Sequence, residues 1–355
     1  MNRVDVIDPI RDPRWDEFVR KHPFGWIAHL SGWKRVLETS FPHMKGHYFV
    51  LIDPQSNEIK AGLPAFEVKS WLTGNRLISI PFATLSDPLV ACAADMEALL
   101  REATNLLEKM NFSYLEIKTL NAVPFMDNKH LADECFFKHH YLELSEGFEP
   151  LWKNFNYKAV RYEINKAQKN KLTIRIADKE SDFLAFYQLY ALTRKRLGLP
   201  SQPQVFFRTL WDTFSPSGNA EILMAELEGG VIAAHFLLKF NGRVSAEAVG
   251  WDIKSSKASP NHFLFWEGIK AACEQGFRIY DFGRTSPNNK PLLDFKKRWG
   301  TQISNLHSFC YPIRSYRGIV DRESSRTYKL ARFACQKAPD FAYAFIGDVC
   351  YRHLG

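Results

Sequence analysis

Apolar residues recur at two spacings along the chain, and together they predict a mixed α+β protein. Between Met96 and Met110 the apolar residues fall at helical spacing, which predicts one long amphipathic helix. Runs rich in β-branched and aromatic residues predict strands at 47–52, 59–68, 112–118, 221–227, 231–240, 243–250 and 277–282. The Asn241-Gly242 pair between two of these runs predicts a β-hairpin.

The order of these predicted elements repeats within the chain. Residues 110–117 align with residues 275–282, each segment follows a long amphipathic helix, and Glu116 falls opposite Asp281. A shared order of helices, antiparallel strands, helix and strand predicts a duplicated fold. A length of 355 residues also favours two domains. We therefore predict domains at 1–145 and 146–313, followed by a basic helical tail at 314–355.

Charge narrows the classes of partner. The net charge of +8 and the pI near 9.0 favour polyanions, namely nucleic acid, nucleotide phosphates or an anionic membrane surface. A basic surface without such a partner is the simpler alternative. The six cysteines form no C-x-x-C pair, so neither a zinc site nor a disulfide framework is predicted. Without an apolar N-terminal core or an apolar run near 18 residues, we expect a cytoplasmic protein.

Several short motifs, in this order, resemble the FemAB family, most closely its FemAB-related subgroup with BioF2-like acetyltransferase domains. The motifs are Gly62-Leu63-Pro64, Pro260-Asn261, Tyr280-Asp281-Phe282-Gly283-Arg284, Phe295-Lys296-Lys297 and Trp299-Gly300. The resemblance implies two tandem GNAT (acyl-CoA N-acyltransferase)-like domains with mixed, mainly antiparallel sheets and a cleft between them. The first domain would face the acceptor, and the second would hold the donor and the chemistry.

The resemblance implies a non-ribosomal transferase that moves an aminoacyl or acyl group onto an amine of a peptidoglycan-type or exopolysaccharide precursor. Charged tRNA or acyl-CoA would be the donor co-substrate, with no tightly bound cofactor and no metal. The acceptor would be a phosphate-bearing small molecule or a lipid-linked precursor. Two alternatives stay open: an acyl-CoA-dependent N-acetyltransferase, and a basic binding or assembly protein that keeps the fold without catalysis.

Four residues are candidates for the chemistry. Asp281 ends a strand beside Gly283 and Arg284, where a carboxylate could accept the proton of the attacking amine and an arginine could hold an anion. An ordinary turn-capping or ion-pairing role is the alternative. His235 and Glu247 lie on the two strands of the predicted hairpin and could form an acid–base pair, unless His235 is a core histidine.

A second group of residues is predicted to bind substrate. Lys296 and Trp299 share a helix face and suit a phosphate with a base or sugar. Arg161 and Lys166 belong to a basic stripe that could follow phosphates, and Asn261 lies where a helix begins and its N–H groups are free. Trp33 is the candidate on the acceptor side. For Lys296, Trp299, Arg161 and Lys166 a solvated surface or core role is the alternative, and for Asn261 it is an ordinary helix cap.

The tail carries half of the net charge, with eight Lys or Arg and four Asp or Glu residues between 314 and 355. Its interrupted apolar face is compatible with two roles. It could lie on an anionic membrane at the inner face, or it could pack back on the domains.

Overall fold

The computed structural model of the protein describes residues 3–72, 74–128, 130–144, 147–313 and 326–354. Contacts divide the chain into two compact units. Unit 1 comprises Met1–Phe136, Asn305–Lys329 and Asp348–Gly355, and unit 2 comprises Phe137–Ser304 and Leu330–Gly347. The predicted domain boundary at 145/146 and the first part of the predicted tail, 314–325, lie outside the described residues.

Unit 1 is a mixed sheet with helices. In spatial order its strands are β1 (Val4–Ile7), β2 (Lys45–Ile52), β3 (Ile59–Val68), β4 (Arg76–Ile78), β5 (Tyr114–Thr119) and β12 (Gln302–Tyr311). All neighbours are antiparallel except β4 and β5, which are parallel. Parallel neighbours need a crossover connection. That crossover is α3 (Ala93–Lys109), while α1 (Pro13–Lys21) and α2 (Ser31–Ser40) lie earlier in the chain.

Helix α3 confirms the helix predicted from the apolar spacing. One face of it is buried in the core of unit 1, where it packs with β3 and β5. The buried residues on this face are Met96, Leu99, Leu100, Ala103 and Leu107, and their partners include Leu63, Leu115 and Ile117.

Unit 2 contains a second series of six paired strands. In spatial order its strands are β6 (Ala132–Glu143), β11 (Ile279–Thr285), β10 (Arg243–Trp251), β9 (Gly230–Phe240), β8 (Ala220–Leu227) and β7 (Thr173–Ile176). Only β10 and β11 are parallel. Its helices are α4 (Phe148–Asn154), α5 (Tyr162–Lys169), α6 (Glu180–Arg196), α7 (Gln204–Phe214), α8 (Pro260–Glu274) and α9 (Lys290–Arg298), and a π-helical turn at Tyr157–Arg161 precedes α5.

One strand of each unit comes from the other half of the sequence. Strand β6 pairs with β11 in unit 2, from Ile279 opposite Glu143 to Thr285 opposite Lys138. Strand β12 pairs with β5 in unit 1, from His307 opposite Thr119 to Tyr311 opposite Leu115. The compact units therefore differ from the predicted linear segments 1–145 and 146–313 by this exchange of strands.

The predicted internal repeat is visible in both units. Each unit has a long helix followed by a strand that pairs in parallel with the last strand before that helix: α3 and β5 in unit 1, α8 and β11 in unit 2. Leu115 and Tyr280 are both fully buried, as their alignment predicts. The predicted hairpin at Asn241-Gly242 joins β9 to β10.

Two helices, α10 (Arg326–Lys337) and α11 (Asp340–His353), form the described part of the tail. Within unit 2 they pack on the segment that follows α6. The Tyr343 hydroxyl donates to the carbonyl of Leu199 at 2.7 Å, and the Arg332 guanidinium donates to that of Leu197 at 2.9 Å. None of the helices in the described ranges is long and apolar enough to cross a membrane.

Gly250 tests how closely α6 packs on β10. A Cβ atom at this position would lie 2.3 Å from the backbone nitrogen of Tyr190, so the helix would have to move. We expect Gly250→Ala to lower the free energy of unfolding by about 3 kcal/mol. Gly230→Ala is the matched control, because its nearest contact would be 3.6 Å away. Urea unfolding of both variants measures the difference, and equal stabilities would contradict this packing.

Candidate active site

The predicted motif Tyr280 to Arg284 lies on β11, and its side chains alternate between two environments. Tyr280 and Phe282 are buried in the core on the side of α8, where Phe282 stacks on Phe265. Asp281 therefore points to the opposite face of the sheet. The pairing with β6 is interrupted by a bulge between Asp281 and Gly283. Gly283 has φ of 71°, and its N–H donates to Oδ1 of Asp281 at 2.6 Å.

Asp281 is enclosed by two cationic or potentially cationic side chains from neighbouring strands. Its Oδ2 accepts hydrogen bonds from Nε2 of His139 on β6 and from the guanidinium of Arg243 on β10, both at 2.8 Å. The carboxylate is 1% exposed. Burial opposes its ionisation, but His139 and Arg243 outweigh burial and hold the pKa of Asp281 well below its usual range. At neutral pH, Asp281 is a fixed negative charge and a poor proton acceptor.

Glu247 is the carboxylate whose pKa suits proton transfer near neutral pH. It lies in a bulge of β10, where the register with β9 shifts between Ala246 and Ala248. Burial raises the pKa of Glu247 to about 7, the charge of Asp281 adds to this, and Arg284 and a hydrogen bond from Ser245 oppose it. This half-buried group can exchange a proton at the pH of the cell.

His235 and Glu247 are not brought together as an acid–base pair by the described contacts. The bulge places Val249 opposite His235 in the ladder. Nε2 of His235 lies 3.0 Å from Oδ1 of Asn261, and Phe265 packs edge-on against the ring. Burial lowers the pKa of His235 to about 4, so this imidazole is neutral. These contacts are those of a core histidine on β9 that packs against the first turns of α8.

Lys296 holds the backbone just after the bulge. Its Nζ donates to the carbonyl oxygens of Gly283 at 2.9 Å and Arg284 at 3.1 Å. Burial lowers the pKa of Lys296 to about 7, and the charge of Asp281 opposes this shift. The guanidinium of Arg284 lies 4.7 Å from the centre of the Phe137 ring on β6. Lys296 and Arg284 thus belong to the same cluster as Asp281.

The two tryptophans predicted to touch substrate are buried. Trp299 is fully buried and packs against Phe155, Phe265 and Phe282 in the core of unit 2. Trp33 is 1% exposed in α2 of unit 1. Protein covers both indole rings. Their predicted role in binding substrate stays a prediction.

The predicted phosphate-binding residues Arg161, Lys166 and Asn261 lie near the start of α8 or on elements that pack against it. Glu163 accepts a hydrogen bond from Ser259, the residue before α8, and lies 3.5 Å from Nζ of Lys166. The guanidinium of Arg161 is 5.3 Å from the Tyr157 ring, and its buried Nε has no hydrogen-bond partner among the described residues. A helix start with nearby cations is a common site for phosphate.

Sequence reasoning missed two residues of the Asp281 cluster, His139 and Arg243. His139-His140 is an unusual polar pair in the middle of β6, and both histidines are fully buried. That pair of histidines is the feature of the sequence that could have revealed the cluster. Its meaning depends on the pairing of β6 with β11, which joins residues 142 positions apart. Among the described residues, no group of three or more His, Cys, Asp or Glu side chains could hold a metal ion.

Comparisons with known proteins agree with this architecture. Residues 155–297 match the family model described as an acetyltransferase (GNAT) domain. This match confirms the predicted enzyme class, a GNAT-type acyltransferase. No curated protein matches the sequence.

Solved structures share the fold over most of the chain. The crystal structure of FemX, a FemAB-family protein, aligns with a TM-score of 0.72 at 16% identity and covers 90% of this chain and 100% of its own. L-PGS from Bacillus licheniformis aligns with a TM-score of 0.59 at 11% identity, covering 93% and 98%. A tandem GNAT protein from the clavulanic acid biosynthesis pathway gives 0.53 at 12%, covering 87% and 98%. These alignments confirm, at the level of the fold, the predicted resemblance to FemAB proteins and the predicted tandem GNAT architecture.

The buried charges predict how Asp281→Asn behaves. The substitution leaves His139 and Arg243 beside a neutral amide, so we expect the free energy of unfolding at pH 7 to fall by about 3 kcal/mol. Because folding lowers the pKa of Asp281 below its ordinary value, the stabilisation that Asp281 provides is complete above about pH 4 and is lost as pH falls further.

Urea unfolding between pH 3 and pH 7 measures this difference. The double variant Asp281→Asn with Arg243→Met should be less destabilised than the sum of the two single variants, because the charges interact directly. Additive effects, or a gap between wild type and Asp281→Asn that persists unchanged to the lowest pH, would contradict the assignment.

Proposed function

We propose that this protein transfers an acyl or aminoacyl group onto an amine of a cell-envelope or polysaccharide precursor, and that the chemistry takes place in unit 2. The single observation that carries this proposal is Glu247, a half-buried carboxylate with a pKa of about 7 in a bulged strand of a GNAT domain. The fold shared with FemX and L-PGS supports aminoacyl transfer as the reaction class.

Glu247 is the proton acceptor in this proposal. The amine nitrogen attacks the carbonyl carbon of the donor, and Glu247 takes the proton that the nitrogen loses. A new C–N bond forms while the C–S bond of a thioester or the C–O bond of an ester breaks. The proton then passes to the leaving sulfur or oxygen, so Glu247 returns to its charged form.

Asp281 acts as a positioning residue. Its fixed charge raises the pKa of Glu247, and its bonds to His139, Arg243 and Gly283 fix the three strands beside Glu247. Arg284 lowers the pKa of Glu247 and would hold an anionic group of a substrate. Lys296 would keep the carbonyl groups of residues 283 and 284 in place.

The donor is bound at the start of α8 in this proposal. Arg161, Lys166 and Asn261 would hold the phosphates of an acyl-CoA or of the 3′ end of a charged tRNA, assisted by the free N–H groups of the helix. The GNAT domain favours acyl-CoA, so an acyl-CoA-dependent N-acetyltransferase is the second candidate function. The acceptor would be a phosphate-bearing or lipid-linked precursor, with Trp33 on the acceptor side.

Donor choice is tested with the purified protein and an amine acceptor from a panel of cell-envelope precursors. Acetyl-CoA and aminoacyl-tRNA are supplied separately, and mass spectrometry follows the acceptor. A mass increase by one amino acid supports the first candidate, and an increase by one acetyl group supports the second. Consumption of neither donor with any acceptor contradicts both.

Glu247→Gln tests the proton acceptor. We expect kcat to fall by about 10²- to 10⁴-fold, because the amide cannot take the proton. In wild type, kcat/KM should rise with pH through an apparent pKa near 7, since only the carboxylate form is active. Glu221→Gln on β8 is the matched control, because Glu221 pairs with Lys239 instead. An unchanged pH profile in Glu247→Gln would rule out this role.

A further inference from the structure

Helix α10 from Leu330 and helix α11 up to Gly347 belong to unit 2 and pack on it with one side. On that side Cys335 and Tyr343 are buried, and Lys195 forms an ion pair with Asp340 at 2.6 Å. Gly347 is held closely against Ser201, since a Cβ atom there would lie 2.5 Å from the Ser201 carbonyl oxygen. Residues 330–347 of these helices are therefore fixed to unit 2, and their other side is a defined surface.

Large apolar residues are exposed on these helices, and we call four of them, all within unit 2, the apolar face. They are Leu330 (69% exposed), Phe333 (60%), Phe341 (83%) and Phe345 (68%). Leu330 and Phe333 are three positions apart on α10, and Phe341 and Phe345 are four positions apart on α11, so each pair shares one side of its helix. Exposed aromatic residues in such a group indicate a surface that contacts a partner.

A basic cavity of about 580 Å³ lies beside α10. Gln336 and Lys337 contribute to its wall, and the rest comes from α6, β9, β10 and the turn after β10. Four cationic side chains line it against one acid, Asp252: Lys195, Arg196, Lys254 and Lys337. Lys337 lies four positions after Phe333, so the basic cavity adjoins the apolar face.

Three of these cations have no carboxylate partner among the described residues. Lys254 and Lys337 take part in no ion pair there, and the Arg196 guanidinium lies 4.3 Å over the Trp251 ring. Burial lowers the pKa of Arg196, whereas nearby Asp252 opposes this shift. Apolar walls, including Leu189, Leu192 and Ile253, surround the cations. A cavity that combines cationic side chains with apolar walls can bind an anion that carries a hydrocarbon chain.

We propose that the apolar face and the basic cavity form a docking surface for an anionic phospholipid membrane. The phenylalanines would enter the boundary between headgroups and acyl chains, and the lysines and Arg196 would hold lipid phosphates. A second copy of this chain is a poorer occupant, because it also carries a net charge of +8 and would bring lysines against lysines. The inference goes beyond the proposed transfer reaction and does not depend on it.

Vesicle flotation of the full-length protein tests this surface without any measurement of turnover. Vesicles of phosphatidylcholine alone are compared with vesicles that contain roughly 30% phosphatidylglycerol. We expect binding to the anionic vesicles only, and we expect it to weaken as salt is raised. Phe341→Ser with Phe345→Ser should lower the partition coefficient roughly tenfold or more. Lys254→Gln with Lys337→Gln should lower it roughly 25-fold.

Matched pairs elsewhere on unit 2 serve as controls. Ile176→Ser with Leu184→Ser removes two exposed apolar residues, and Lys153→Gln with Lys179→Gln removes two exposed cations. Both control pairs should bind like wild type, and circular dichroism checks that all variants are folded. Equal binding to both vesicle types, or unchanged binding in the phenylalanine pair, would overturn the proposal. So would a concentration-dependent dimer in light scattering that the phenylalanine pair abolishes, since the face would then join two copies.

Discussion

The buried carboxylate of Asp281 is the group on which the rest of unit 2 depends. An ionised carboxylate out of water is costly unless charged or hydrogen-bonding partners surround it. Asp281 has three such partners, and they come from three adjacent strands: His139 from β6, Arg243 from β10 and the Gly283 N–H from β11 itself. The same three contacts therefore stabilise this part of the sheet and fix the positions of its charges.

The same charge sets the chemistry next to it. Glu247 is close enough to Asp281 for repulsion to add to burial, and the pKa of Glu247 reaches about 7 as a result. Burial is the larger cause of the raised pKa of Glu247, and the charge of Asp281 adds to it. Asp281 carries that charge because His139 and Arg243 keep its own pKa low. In the proposed reaction the two acids have different roles: Asp281 stays charged, and Glu247 exchanges a proton.

Unit 1 lacks this arrangement at the equivalent position. Glu116 aligns with Asp281, yet its carboxylate accepts a hydrogen bond from Ser308 at 2.9 Å and forms no ion pair within the described residues. Lys118 follows where the second unit has Gly283, so the glycine that allows a positive φ is missing from the copy. The duplicated fold has kept the helix–strand frame in both units and a buried charge cluster in one.

Local patterns predicted the elements well because each depends on neighbours in sequence. The spacing from Met96 to Met110 gave α3, and Asn241-Gly242 gave the β9–β10 hairpin. The site was harder to predict for physical reasons. The exchange of β6 and β12 depends on pairing between distant segments. The bulge at Ala246 and Ala248 separates Glu247 from His235, and no simple alternation of residues reveals it.

Trp299 shows why a motif is not enough to assign a surface role. The helix geometry did place it near Lys296, but both side chains are buried, and the indole packs among Phe155, Phe265 and Phe282. The packing of Trp299 in the aromatic core therefore holds the basic segment before it in place. Nζ of Lys296 donates hydrogen bonds to carbonyl groups of β11. Lys296, which the sequence predicted to face a ligand, supports the bulge through these hydrogen bonds. Since that bulge positions Gly283 and Asp281, the motif acts on the site through the backbone of β11.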